Sequence, residues 1–272
     1  MATDTQTPTE TPIGDWLVLV SENYSPIDFM LIGDNLDRFM WGALVTLVLT
    51  FLSLLLGGIL CIPLALARAY RHPFWNAPVW CFTYFFRGTP LLVQTYLLYF
   101  GLGQFEVVRE SFLWGPILSN AWWCALIAFT LNTAAYTTEF LRGAIVTTPF
   151  GEVEAAKASG MSAATMVRRI ILPSAFRRAL PAYSNEVIFM LHGSVIASTI
   201  TLQDILGVGR WLNGRYYLAY EGFITAMVMY MILVFAISRG FKFWEKHWLG
   251  HLRPREEDSN TMVPEAATPD IR

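Results

Sequence analysis

Long apolar runs separated by short polar clusters dominate the chain, and they recur at the length of a membrane crossing. The clearest covers residues 41–67, which is 27 residues without a formal charge. At 1.5 Å per residue this is roughly 40 Å of helix, against a hydrocarbon core of ~30 Å. Pro63 lies near its inner end, where a kink is tolerable. A second run is interrupted: residues 79–86 are apolar, Arg87-Gly88-Thr89-Pro90 breaks the pattern, and residues 91–103 resume it. It reads as an interfacial segment followed by a membrane helix from about Gly88. The third run covers about 120–141 with Glu139 near its end, and the fourth about 181–201 with Glu186 and His192 inside it. A fifth, 222–237, is extended by an amphipathic stretch at 239–248. The pattern predicts an all-α integral membrane protein of about five transmembrane helices.

Composition agrees. Of 272 residues 54% are hydrophobic and 15% charged, with a mean hydropathy of +0.43; soluble domains carry roughly 25% charged residues. That excludes a disordered chain and most soluble enzymes. The same composition excludes a nucleic-acid-binding module, and a net charge of −2 is too small to suggest an anionic partner. Cys61, Cys81 and Cys124 sit in apolar stretches without metal-ligand or disulfide spacing. The placement of charge carries more than its total. Five spans put Arg38, Arg109, Arg210 and Arg215 on one side and fifteen Lys or Arg residues on the other. The positive-inside rule then sets the N-terminus outside and the C-terminus in the cytoplasm. Residues 1–35 hold six acidic residues and no Lys or Arg, so the first span is expected to serve as an uncleaved insertion signal. The expected organisation is an extracytoplasmic segment at 1–38, a transmembrane domain at 39–252 and a disordered cytoplasmic tail at 253–272.

The longest cytoplasmic segment, about 142–180, reads Glu154-Ala155-Ala156-Lys157-Ala158-Ser159-Gly160, then nine residues, then Ile170-Ile171-Leu172-Pro173. Residues 152–158 are rich in helix formers, Gly160 supplies a stop, Ser162 caps a second helix, and Pro173 is expected to end it. The spacing Glu-Ala-Ala, three residues, Gly, nine residues, Ile-x-Leu-Pro resembles the EAA loop of bacterial ABC-importer permease subunits. Two more stretches narrow the likeness to the polar amino acid family. Phe86-Arg87-Gly88-Thr89-Pro90-Leu91-Leu92-Val93-Gln94 resembles the opening of that family's second span. Residues 135–145 resemble the end of its third. The similarity extends over about residues 40–250. Where many relatives continue toward a Lys, this chain has Leu191-His192-Gly193-Ser194-Val195. In this it resembles the M-type permease of histidine and lysine/arginine/ornithine importers, which also lacks that lysine.

The resemblance implies a type I ABC importer fold in the bacterial inner membrane, with the EAA loop as the helix that couples to an ATPase. Glu154, Ala155, Ala156 and Gly160 would form the socket contact, with Lys157 and Arg168 as polar partners. It further implies a pair of ATPase subunits, a second homologous permease and an extracytoplasmic solute-binding protein. The substrate would be a polar, basic amino acid; another amino acid or an opine stays open. No Gly-x-x-x-x-Gly-Lys-Ser/Thr phosphate loop occurs in the chain. ATP and Mg are therefore expected on the partner ATPase, with no cofactor and no catalytic residue here.

For the substrate pathway the candidates are Glu186, Glu139, His192 and Ser194. An ionisable residue at membrane depth faces a cavity or a partner, and the Glu186 carboxylate suits an ammonium or guanidinium. A buried Glu bonded to a neighbouring helix is the competing reading. Glu139 precedes Arg142 by three residues, which favours a same-helix pair, and His192 reads equally as a core histidine. Gln94 and Asn132 are expected to bond between helices. Asp204, Arg210 and Arg215 are docking charges for the binding protein, or Asp204 only caps a helix. His247 and His251, flanked by Trp244 and Trp248, read as a membrane-interface anchor. A proton-coupled secondary transporter relaying through Glu139, Glu186 or His192 is the rival class; five spans without an internal repeat speak against it.

Overall fold

The computed structural model describes residues 29–70 and 74–249. The expectations for residues 1–28 and for the 253–272 tail, and those resting on Arg71 and His251, lie outside the described residues.

Every regular element among the described residues is helical. A short helix α1 (Phe29–Asp34) leads into α2 (Leu36–Ala69), which runs through Pro63 without a break. Along α2 the buried positions Phe39, Ala43, Thr46, Thr50, Ser53, Gly57, Cys61 and Ala65 recur every three or four residues. Large apolar side chains, among them Trp41, Phe51, Leu55 and Ile59, point outward. Small residues inside and bulky ones toward lipid are what close helix packing in a membrane requires.

The second expected span is two helices. Helix α3 (Asn76–Gly88) ends at extended Thr89, and α4 (Leu91–Tyr96) begins after Pro90 as its N-cap. Thus the membrane helix starts at Leu91 rather than at Gly88, because Pro90 disfavours helical backbone at the residue before it. Helix α4 continues as a π turn (Leu97–Gly101) and a 3-10 turn (Leu102–Gln104), followed by α5 (Glu106–Arg109).

Helix α6 (Ala121–Val146) is the hub, packed against α2, α3, α4 and the fourth span. Its N-cap Asn120 accepts from the backbone N–H of Trp122 at 2.9 Å. Being enclosed by protein, it needs no lipid-facing apolar surface, and its buried face carries Thr130, Asn132, Thr133, Thr137 and Thr138. At Gly57 the α2 backbone meets it so closely that a Cβ would lie 3.2 Å from Ala134 N and from Thr130 O, and against the Thr133 methyl.

Helices α7 (Phe150–Ala158) and α8 (Ala163–Met166) form the loop, and α8 passes through a π turn (Val167–Ile171) into α9 (Leu172–Gly193). Pro173 therefore does not end the second loop helix; the helix continues into the fourth span. In the π turn the Leu172 N–H bonds to Val167 O, five residues back. The wider turn shifts the ladder just ahead of Pro173, whose missing N–H would otherwise leave a gap. A 3-10 segment (Ser194–Ile200) carries the helix to left-handed Thr201. Helix α10 (Ile205–Tyr216) then leaves at 41°.

The last helix, α11 (Ala219–Leu249), crosses α10 where Gly209 and Gly222 meet; a Cβ on Gly209 would lie 2.8 Å from Gly222 O. By length and composition α2 and residues 219–244 can each cross a membrane alone, and the bent α8–α9–α10 path makes a third candidate. The other two expected spans fall short of that measure for separate reasons: α4 is broken and short, and α6 carries a buried row of threonines and Asn132 among its apolar residues.

Candidate coupling and translocation sites

In the loop, α7 ends at Ala158, and Gly160 takes φ +71°, a left-handed turn that L side chains rarely adopt. Ser162 caps α8, its Oγ accepting from the Thr165 N–H at 3.4 Å. Glu154, Ala155, Lys157, Gly160 and Arg168 are exposed. Ala156 is 3% exposed: it packs inward, so within the loop it sets the spacing of α7 against its own chain. Phe150, on the first turn of α7, is 84% exposed, an apolar ring on a polar loop that its position in the sequence did not single out.

The base of the loop is clamped by Arg178. Its Nη2 donates to Ala144 O and to Thr148 Oγ1, both at 2.8 Å, and its Nη1 donates to Ser174 Oγ at 2.5 Å. The C-terminal end of α6 and the start of α9 are thereby tied on either side of α7. An apolar core of Cys61, Ala65, Leu141, Ile145, Ile171 and Ala175 fills the space between them.

One turn further along α6, Glu139 sits among cations. Arg142 Nε donates to its Oε2 at 2.7 Å, Arg68 Nε to its Oε1 at 3.2 Å, and Thr83 Oγ1 to the same Oε1 at 3.3 Å. Arg68 also donates to Asn76 Oδ1 at 2.9 Å. The predicted i,i+3 pair with Arg142 is present, and the carboxylate joins α2, α3 and α6. Arg68 and Thr83 are far from Glu139 in sequence, and no local signal announced them.

Deeper in the membrane domain Glu186 is 5% exposed. It lines a cavity of about 370 Å³ with Leu91, Asn132, Tyr136, Phe140, Phe189 and Met190. The volume lies within the range of roughly 300–1,000 Å³ usual for small-molecule sites. Asn132 donates to Gln94 Oε1 and to Phe86 O, both at 3.1 Å. Gln94 Nε2 in turn reaches Phe86 O at 2.9 Å and Thr89 Oγ1 at 2.8 Å. Both amides thus satisfy backbone carbonyls freed where α3 stops, so the break is built in. Tyr136, on the same cavity wall, donates to Arg87 O at 3.3 Å and stacks under the Arg87 guanidinium.

The remaining candidates lie elsewhere. His192 is exposed on α9, which removes the core-histidine reading. Ser194 is buried, donates to Leu191 O at 2.6 Å and approaches Tyr230 OH at 3.5 Å. Asp204 is fully buried. It caps α10 by accepting from the Gly207 N–H at 2.8 Å, and it accepts from Tyr230 OH at 3.2 Å. It is therefore no docking charge. Arg210 and Arg215 remain exposed.

Residues 57–247 match the family described as the binding-protein-dependent transport system inner membrane component, and the chain belongs to that family. Among relatives it is 44% identical over 213 residues to the histidine/lysine/arginine/ornithine transport system permease protein HisM of Escherichia coli (strain K12). That alignment covers 78% of this chain and 90% of HisM. The octopine transport system permease protein OccM of Rhizobium radiobacter is 43% identical over 220 residues, 81% of this chain and 89% of OccM. A crystal structure of an amino acid ABC transporter with histidines superposes with TM-score 0.72 at 29% identity, covering 81% of this chain and 99% of that one. An inward-facing structure of the MetNI methionine ABC transporter shares the fold, with TM-score 0.62 at 19% identity over 78% of this chain and 96% of that one. The chain is thus a helical inner-membrane component of a binding-protein-dependent transport system.

Proposed function

We propose that this chain forms, with a second and homologous permease, the pathway of an ATP-driven importer for basic amino acids or opines. The observation that carries the reading is Glu186, a carboxylate held at membrane depth against a cavity of about 370 Å³. An acid there costs a few kcal/mol unless it has a cation to meet, and among the described residues Arg87 reaches it electrostatically without forming an ion pair. The ammonium or guanidinium of a basic solute supplies one through a charge-assisted bond. Tyr136 and Phe140 offer apolar and aromatic surface to the methylene chain of such a solute. The names of the relatives HisM and OccM support the same chemical class.

In this reading the N-terminus lies outside and α7 faces the cytoplasm, as the Lys and Arg distribution favours. A separate ATPase pair, holding ATP and Mg, docks on Glu154, Ala155 and Lys157. Closure of that pair pushes α7, and the Arg178 clamp makes α6 and α9 follow as one body. The membrane helices then shift between inward and outward states. A solute-binding protein delivers the substrate at the opposite face, near Arg210 and Arg215.

The test is co-expression with the neighbouring genes, mild extraction, and identification of the chains that accompany a tagged copy. The expected result is an ATPase and a second permease, with ATP-dependent uptake of labelled arginine once the binding protein is added to proteoliposomes. Recovery of an ATPase without a second permease overturns the heteromeric arrangement. Uptake by this chain alone, driven by a pH gradient, overturns the ATP-driven mechanism.

A further inference from the structure

Behind the coupling helix lies a groove of about 430 Å³ between α7 and the α8–α9 path. Its polar wall carries Arg169, Ser174 and Arg177, and Glu152 is its one acidic residue. Both arginines are exposed. Neither side chain makes a hydrogen bond or ion pair among the described residues, in contrast to Arg178 beside them. Two cations against one carboxylate leave the groove net positive.

Pro173 and Arg177 also belong to a second cavity of about 590 Å³, whose wall is almost wholly apolar and includes Leu141 and Leu180. The polar groove and the apolar cavity therefore adjoin along one edge of α9. That edge lies about one to two turns before residue 181, where the fourth apolar run begins. Basic residues at the cytoplasmic boundary of a membrane domain meet the anionic leaflet.

We propose that this paired groove and cavity binds an anionic glycerophospholipid. The phosphate lies between Arg169 and Arg177, with Ser174 as a further donor, and an acyl chain enters the cavity beside Leu180. The adjoining compartments favour this occupant over an acidic segment of the ATPase. A soluble protein surface offers the anion but no long apolar chain, whereas a phospholipid carries both on one molecule. A lipid so placed wedges the loop against the fourth span and fills the space behind α7.

The experiment is native mass spectrometry of the full chain, purified with its co-expressed subunits and exposed to equal amounts of phosphatidylglycerol and phosphatidylethanolamine. The expected result is preferential retention of phosphatidylglycerol, reduced roughly tenfold by Arg169→Gln with Arg177→Gln. Leu180→Trp, which fills the cavity and leaves the arginines in place, is an independent second variant and should also lower retention. Equal retention of the two lipids, or full retention in both variants, overturns the proposal. Displacement of phosphatidylglycerol by inorganic phosphate at low millimolar concentration shows an anion site without chain recognition, and overturns it too. If the arginine pair variant loses its ATPase while keeping phosphatidylglycerol, the groove belongs to the ATPase and the lipid assignment falls.

Discussion

Arg178 and Ala144 are 34 residues apart in the chain, yet the guanidinium of one holds the backbone carbonyl of the other at 2.8 Å. The bond closes the loop at its base, on an α6 carbonyl near the helix end. An exposed pair of this kind contributes little, but this guanidinium has three acceptors, on the end of α6, just beyond it at Thr148 and on its own helix, and hydrogen bonds to charged groups are worth roughly 1.5–3 kcal/mol each. Arg178→Ala should leave membrane insertion and ATPase recovery intact while lowering uptake per ATP hydrolysed by about an order of magnitude. Parallel assays of hydrolysis and uptake in proteoliposomes check this. An unchanged ratio would mean that the clamp transmits nothing.

At the tip of the loop two variants act by different routes. Glu154→Arg reverses an exposed charge on α7, and Gly160→Asp puts a side chain on a residue with φ +71°. No atom stands within 4 Å of a Cβ at Gly160, so its own cost is the left-handed backbone, roughly 1–2 kcal/mol. Both variants should reach the membrane in normal amounts and recover several-fold less ATPase. Normal recovery with both would remove α7 from the docking surface.

Glu186→Gln keeps the shape of the side chain and removes its charge. Uptake of a cationic solute should fall by roughly ten- to a hundredfold, the worth of one charge-assisted bond. ATPase recovery should not change. Equal uptake by variant and parent would assign Glu186 to packing.

Glu139→Gln leaves Arg68 and Arg142 facing a neutral amide in a partly buried site. Removing one member of such a cluster strands the remaining charges, at a cost on the order of 3 kcal/mol. A lower unfolding temperature for the detergent-solubilised chain is the expected reading, with no selectivity between cationic and neutral solutes. A selective loss for cationic solutes would instead put Glu139 on the substrate path.

Gly57→Leu inserts a side chain where α2 and α6 backbones touch, and overpacking of this kind typically costs about 1–3 kcal/mol. Nearby Gly58 is a control, since the nearest atom to a Cβ there is the Tyr183 hydroxyl at 3.9 Å. Gly58→Ala should be tolerated and Gly57→Leu should aggregate on extraction, as size-exclusion profiles would report.

Local chemistry announced much of this architecture. The uncharged run at 41–67 became α2, and the loop gave up its first helix, its glycine stop and its serine cap from residue types alone. The break at Thr89–Pro90 was equally legible, though not that side-chain amides of Gln94 and Asn132 would satisfy it. Pro173 misled, because its rule assumes an α-helical ladder and the preceding π turn changes that ladder. Distance along the chain hid the rest: Arg68 meets Glu139 across 71 residues, and the Arg178 clamp also depends on tertiary placement. Asp204 was legible as a helix cap, which it is, but not as a buried residue, because packing against Tyr230 leaves no trace in its neighbours and so a docking charge looked equally open. The walls around Glu186 come from α4, α6 and α9, so the residue could be nominated from sequence and its cavity could not.

The passage of Ala163 through to Ile200 without interruption turns a loop into one arm of a balance beam. Its length is about 55 Å at 1.5 Å per residue, well over a hydrocarbon core of ~30 Å. A tilt of ~5° about the middle of such a rod carries each end by about 2.5 Å, in opposite directions. On the coupling reading proposed above, a push on α8 would be felt at Thr201 with its sense reversed, and the Arg178 clamp would share it with α6. Had Pro173 broken the helix, the same push would have been spent in a hinge.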